Sequence, residues 1–236
     1  MLLPHGLRAV QKGPTALTFV GGTTGFSSSS NPTYSINSLT GGIASAPAAG
    51  DLVVVVIAIL SDVSTTFATS TSGYTKVADL EPDQSYDVAQ MGVFYKVLSS
   101  AETTVAFTAP ANNLFCCHVW RGQNATPLDA ATVGSASVTS AQPNAPSITT
   151  VTNNAVVLAI GAAGSENSSL RPISNLTVPS GMTNFLQVRP TADLALGIAS
   201  IARPTAGAYD PPAFGGGNTS ATGTSFSAVT MAIRKS

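Results

Sequence analysis

Asp51-Leu-Val-Val-Val-Val-Ile-Ala-Ile-Leu60 decides how this chain reads. Nine apolar residues in a row, mostly β-branched, are too few for a membrane helix and well suited to a buried β-strand. A weaker echo, Asn154-Ala-Val-Val-Leu-Ala-Ile-Gly161, follows about a hundred residues later with similar landmarks behind it. After the first copy come Ser72-Gly73-Tyr74-Thr75-Lys76-Val77, Met91-Gly-Val-Phe-Tyr-Lys-Val-Leu98 and Leu114-Phe-Cys-Cys-His-Val-Trp-Arg121. After the second come Ser180-Gly181-Met182-Thr183-Asn184-Phe185, Leu194-Ala-Leu-Gly-Ile-Ala-Ser-Ile201 and Phe226-Ser-Ala-Val-Thr-Met-Ala-Ile-Arg234. The order predicts two related halves, about 51–121 and 154–234, joined by a connector over 122–153. Spacing differs between them: Gly73 to Gly92 is 19 residues and Gly181 to Gly197 is 16.

Working outward, Thr15 to Val20 reads as a first strand ended by Gly21-Gly22, and Tyr34 to Leu39 alternates as a half-buried second strand. Glu102 to Thr108 puts Thr103, Val105 and Phe107 on one face and leaves the other wet. The runs at 52–60, 155–162 and 194–201 are apolar on both faces. One face belongs to a sandwich core; the other needs an arm, a loop layer or a second subunit over it. Gly, Pro, Asn and Ser interrupt the runs every ten residues or so and helix signals are nearly absent, which predicts an all-β antiparallel sandwich or jelly roll over 15–236. Residues 1–14 form an N-terminal arm broken by Pro4, Gly6, Gly13 and Pro14. The stretch 207–223, with Pro211-Pro212 and Gly215 to Gly217, reads as the longest exposed loop.

At 236 residues the chain is long enough for one large β domain or two small ones. Charged residues make up 9% against 44% hydrophobic, so Ser, Thr, Asn and Gly supply the polar surface and disorder is excluded as a class. Ten basic and eleven acidic residues are scattered singly, which leaves no patch for nucleic acid. No segment reads as a signal peptide or a membrane helix. So little charge hints at assembly.

Chemistry is scarce. The two histidines are His5 and His118, and His118 shares a strand face with Cys116 and Trp120, the setting of a packed side chain rather than of a general base or ligand. Adjacent Cys116 and Cys117 point to opposite faces and read as small buried hydrophobes. Carboxylates gather in Asp79-Leu-Glu-Pro-Asp-Gln-Ser-Tyr-Asp87, where a glycosidase pair or a calcium loop is conceivable, but Pro82 and the missing Asp-x-Asp-x-Asp-Gly spacing favour a solvated hairpin turn. No Gly-x-Ser-x-Gly elbow or phosphate loop is present, and no cofactor or metal is expected. Trp120 can stack on a sugar or anchor an interface, or it can cap the core while Arg121 reaches to water. The contact-making residues picked out are His5, Arg8 and Lys12 on the arm, with Trp120 and Arg121.

Gly50-Asp51-Leu-Val-Val-Val-Val-Ile-Ala-Ile59, Val93-Phe-Tyr-Lys-Val97, Val119-Trp-Arg-Gly122 with Pro127-Leu-Asp-Ala130, and Ser180-Gly181-Met182 together resemble minor structural proteins of tailed bacteriophages. That resemblance covers about 15–236. Its motifs are strand starts and turns, and the second half departs from them, with Asn154-Ala155 in place of Gly-Asp and no Tyr-Lys pair. It implies a jelly-roll-like virion protein with no catalytic residues to carry over. The expectation is therefore a non-enzymatic capsid decoration or cement protein, assembled in the host cytoplasm. It would be held by its arm and apolar outer faces to the major capsid protein or other virion proteins, and a homo-oligomer, a trimer foremost, is expected. The alternatives are a tail-fibre or receptor-binding module that grips glycans through Trp120 and the loops at 79–87 and 207–223, and a jelly-roll carbohydrate-active enzyme.

Overall fold

The computed structural model describes residues 16–82, 86–219 and 222–236. The expected arm over 1–14, with His5, Arg8 and Lys12, lies outside the described residues, as does Asp83. What is described is all-β, with no helix, and every pairing between its strands is antiparallel.

Two large sheets face each other. The first has the order β1 (Thr18–Ser27), β8 (Asn113–Arg121), β3 (Leu52–Ser61), β6 (Val88–Val97), β5 (Thr75–Leu80). The second runs β10 (Val133–Ser137), β18 (Thr224–Lys235), β12 (Ala155–Ser165), β15 (Leu194–Arg203), β14 (Thr183–Val188), with β9 (Gln123–Leu128) pairing further along β18. The stretch at 51–60 is the centre of the first sheet: β3 pairs β6 from Leu52↔Val97 to Ser61↔Val88 and β8 from Leu52↔Trp120 to Ala58↔Leu114. Its echo, β12, is central in the second, flanked by β15 and β18.

Period-two alternation divides these strands between two cores. Leu52, Val54, Val56, Met91, Val93, Leu114 and Cys116 from the first sheet meet Val156, Leu158, Ile160, Leu196, Ile198, Val229 and Met231 from the second. Across this seam β1 lies against β14, β8 against β15, β6 against β18 and β5 against β10, with β3 and β12 in the middle. The seam is not wholly apolar. Ser225 Oγ accepts a hydrogen bond from the Ala89 N–H at 2.8 Å, and Ser227 Oγ donates to the Ala89 carbonyl at 2.7 Å. Ala89 needs them because β5 pairs β6 no nearer to it than Met91, which leaves the edge of β6 at Ala89 open on that side, where the two serine side chains of the opposite sheet reach it.

The outward faces of both sheets are covered by the chain itself. A three-stranded sheet, β2 (Thr33–Ser35), β7 (Thr104–Thr108), β4 (Ala68–Thr69), lies over Val53, Val55, Ile57 and Ile59. In the second half two short ladders do this work: β11 (Ile148–Thr150) with β16 (Gly207–Tyr209), and β13 (Ser174–Thr177) with β17 (Gly215–Gly217). The expectation that apolar outer faces hold neighbouring subunits is thereby corrected. Val53, Val55, Ile57, Val157, Ala159 and Ala163 are all fully buried within the one chain. Runs that are apolar on both faces do need a cover, and short sheets of this same chain supply it.

Three local expectations also change. Gly21-Gly22 does not end the first strand; β1 continues to Ser27 through a bulge between Phe19 and Gly21, because a bare Cα at Gly22 leaves room for Leu186 and the Cys117 carbonyl. The connector over 122–153 carries β9 and β10 as well as β11, the short strand that Ile148 to Val151 suggests, since an edge strand such as Val133–Ser137 needs backbone pairing more than apolar side chains. Residues 207–219 are not a free loop: Phe214 is fully buried over the second sheet. The alternation holds over 104–108, with Val105 and Phe107 buried and Thr104 and Thr108 exposed, but Thr103, expected on the buried face, precedes the strand and is exposed.

Candidate functional site

Among the described residues, chemically capable side chains gather at four places considered in turn. The first is the interior around His118. It sits on β8 opposite Val54 and is fully buried, with the Phe19 ring edge-on at 4.8 Å and Trp120 at 6.2 Å. Burial drives its pKa down to about 3, a shift only partly opposed by the backbone of Asn184. His118 is therefore neutral at physiological pH and sealed from any substrate. Cys116 and Cys117 are fully buried free thiols, and burial pushes both pKa values up, the opposite of what a nucleophile requires. Trp120 is 3% exposed and packs against Phe19 at 5.2 Å, so it offers no ring to a sugar or a partner. It caps the core, the plainer of its two readings.

The second place is Arg121 with Asp51. The Arg121 Nε and Nη2 groups donate to the two carboxylate oxygens at 2.7 and 2.9 Å, while Asp51 also accepts from the Ala48 N–H at 2.8 Å. This fork, with the Asp51 hydrogen bond foremost, raises the Arg121 pKa. Arg121 does reach the surface as expected, but both ends of its fork are occupied. Arg234 and the fully buried Asp129 form the corresponding pair on the second sheet, 3.5 Å apart. Asp129 also accepts from the Val151 N–H at 2.6 Å and from the Thr152 hydroxyl.

The third place joins two sequence landmarks. Gly73, at φ 85°, turns the chain so that Tyr74 lies beside Lys96 of β6, whose Nζ stands 5.3 Å from the ring centre. Lys96 pairs with Glu102 and donates to the Ser72 carbonyl at 2.8 Å, and the Tyr74 hydroxyl donates to Glu102 at 3.3 Å. Burial first, then Cys117 and Glu102, push the Tyr74 pKa up. The Gly-Tyr turn and the Tyr-Lys strand are thus two halves of one structural latch.

The fourth place is a cleft of about 350 Å³ at the end of the seam where β1, β3 and β12 finish. Leu60, Leu114 and Leu194 line it, Phe26 stands 43% exposed beside it, and Asp87, Glu166 and Asp193 bring carboxylates to it. Asp87 and Asp193 come from the ends of connections, each standing immediately before its strand, β6 or β15. Of the described carboxylates in the acidic stretch read from the sequence, Asp87 alone lines this cleft: Asp79 pairs with Lys76, and Glu81 accepts from the Ser64 hydroxyl at 2.6 Å. No group of three metal-ligating side chains occurs among the described residues. Nothing in the sequence placed Glu166 and Asp193 with Asp87, because the seam that joins them is set by strand order across more than a hundred residues. Comparison with family models, with curated proteins and with solved structures finds no match to this chain.

Proposed function

We propose that this chain is a non-enzymatic structural protein of a tailed-phage virion, built as two jelly rolls in tandem, and that it decorates or cements the capsid. The observation that carries the reading is strand order. A jelly roll folds eight strands into two facing sheets through Greek-key connections. In the first half β1-β8-β3-β6 faces β2-β7-β4, with β5 moved to the outer edge of β6. The second half follows the same path: β10, β18, β12, β15 and β14 stand where β1, β8, β3, β6 and β5 stand, and β11-β16 and β13-β17 take the place of the cover.

Descent of the two halves from one unit has independent support. Left-handed residues fall at matching turns: Gly50 and Asn154 before β3 and β12, Gly73 and Gly181 before β5 and β14, Asn112 and Gly223 before β8 and β18. The departure of Asn154 from the Gly-Asp pattern keeps the conformation, since asparagine tolerates it best after glycine. Exchanging the halves also maps each seam contact onto another: β1 on β14 becomes β10 on β5, β8 on β15 becomes β18 on β6, and β3 on β12 becomes itself. That is the self-complementary pattern of a two-fold dimer, here within one chain.

A non-catalytic role fits how the reactive groups are engaged. His118 and both thiols are sealed, and Asp51 and Asp129 are each held by an arginine. The virion assignment rests on the motif resemblance together with this architecture, which is common in capsid proteins. Mass spectrometry and immunogold labelling of gradient-purified particles from the strain that carries the gene test it. The chain is expected in stoichiometric amounts on heads, and its presence only in the soluble fraction overturns the assignment.

A further inference from the structure

We propose that the seam cleft receives residues 1–15 of a second copy of this chain, so that copies join head to tail. The cleft offers two chemistries together: leucine walls with the half-exposed Phe26, and carboxylates at the rim. Arg171 approaches Glu166 at 3.8 Å, but Asp87 and Asp193 form no ion pair among the described residues. A fitting occupant is therefore a short segment that is both apolar and basic. Residues 1–15 carry Leu2, Leu3, Leu7 and Val10 together with Arg8 and Lys12, and contain no Asp or Glu.

Reach separates a second copy from the same one. Ala16 and Leu17 border a groove at the opposite end of the sandwich, with Asn154, Val156 and Lys235. Between that groove and the cleft runs β1, ten residues long, or about 33 Å at strand spacing. Lys12 and Arg8 stand four and eight residues before Ala16, so their Cα atoms reach at most about 14 and 28 Å from it. Their own cleft lies well beyond Lys12 and at the limit of Arg8 even with its backbone and side chain fully extended, whereas a neighbour seated against the cleft end brings both directly to it. A contact from one end of a copy to the other end of the next is heterologous, and it gives a ring when the rotation closes. This goes beyond the virion reading and stands without it, because a copy can bind a copy in the absence of any particle.

Sedimentation velocity on the full chain tests the proposal. A concentration-dependent oligomer is expected that dissociates as salt is raised. Arg8→Asp with Lys12→Asp should weaken association about tenfold, the scale of two partly exposed ion pairs, and adding Asp87→Lys with Asp193→Lys should recover most of it. Far-ultraviolet circular dichroism and the urea midpoint of each variant, unchanged from wild type, separate lost association from lost folding. A wild-type monomer at about 100 μM, or an oligomer indifferent to the reversal, overturns the proposal. Oxidative crosslinking of Arg8→Cys with Thr191→Cys gives the second readout, and buried Cys116 and Cys117 do not compete. Covalent dimers and higher species are expected; a crosslink confined to single chains, or none, overturns it.

Discussion

The outer layers of the two halves solve one problem in opposite ways. In the first, bulk comes from both sides: Val53, Val55, Ile57, Phe94 and Phe115 rise from the sheet and meet Tyr34 and Phe107 from the cover. Tyr34 stacks on Phe115 at 4.4 Å, and Phe107 stands edge-on to Phe94 and Phe115 at 5.9 Å. In the second, the sheet is a floor of Ala159, Ala163, Ala195, Ala199 and Ala228 with Gly161 and Gly197, and the bulk is brought by Ile173, Leu176, Met182 and Phe214. A Cβ added at Gly161 would come within 2.5 Å of the Pro143 Cβ and 3.0 Å of the Phe214 ring. Interiors must fill to near-crystalline density, but the volume can sit on either partner. The flatter floor is what permits a cover made largely of loops and two short ladders, because few side chains have to interlock.

The sharpest way to break this comparison is to remove its large side chains. Phe214→Ala should cost about 3–5 kcal/mol, toward the upper end, because small floor residues cannot collapse into the space. Phe107→Ala belongs to the same range but toward its lower end, since three neighbouring rings can shift. Urea unfolding with an unchanged m-value measures both. A loss under about 1 kcal/mol for Phe214→Ala would mean that the second cover is not part of the core.

At the seam the halves differ in a basic group: His118 occupies on β8 the position that, strand for strand, Met231 holds on β18. The folded pKa of His118 is lowered, so below the ordinary value of 6.5 the unfolded chain binds a proton that the folded chain refuses. Its contribution is fully present above pH 6.5 and is lost as pH falls from there toward 3, by up to about 1.4 kcal/mol per unit. Stability measured from pH 7 to pH 4 should fall by about 3 kcal/mol more in the wild type than in His118→Met; parallel curves would remove the group from the account. Smaller again is the polar link. Ser225→Ala and Ser227→Ala each strand one backbone group of Ala89 inside the seam, at about 1–3 kcal/mol. Thermal unfolding should show the two losses to be non-additive, because both hydroxyls serve one residue.

Much of this fold is legible in the chain. The valine-rich run at 52–60 and its echo at 155–162 are the two central strands, and both faces of each are covered, as two-sided apolar runs require. The packed state of His118 follows from its face on β8. The covers are less legible: β4, β16 and β17 are two or three residues long and rich in Ala and Gly, with too little side chain to show a period. The cleft is illegible for another reason. Asp87, Glu166 and Asp193 are brought together by strand order, and no local pattern in the sequence encodes that. Two of the three residues by which the glycine spacings differ lie in a connection, 81–87 after β5 against 189–193 after β14, and the third lies in the strands, since Gly92 is the fifth residue of β6 and Gly197 the fourth of β15.

The latch of Tyr74, Lys96 and Glu102 sharpens the comparison at the smallest scale. The second half puts Met182 and Ile201 where the first has Tyr74 and Lys96, and both belong to the apolar cluster beneath its cover. The side chains of Lys96 and Glu102 are only 14% and 18% exposed, so their pairing is offset by much of the cost of leaving water. Glu102→Leu alone leaves a lysine charge largely shielded from solvent and should cost about 1–2 kcal/mol. Lys96→Ile together with Glu102→Leu converts the site to the apolar solution of the other half and should return stability to within about 1 kcal/mol of wild type. Urea unfolding of the two singles and the double closes the cycle. A double variant weaker than either single would show that the first half depends on its ion pair in a way the second has no need of, and the two packings would then not be interchangeable.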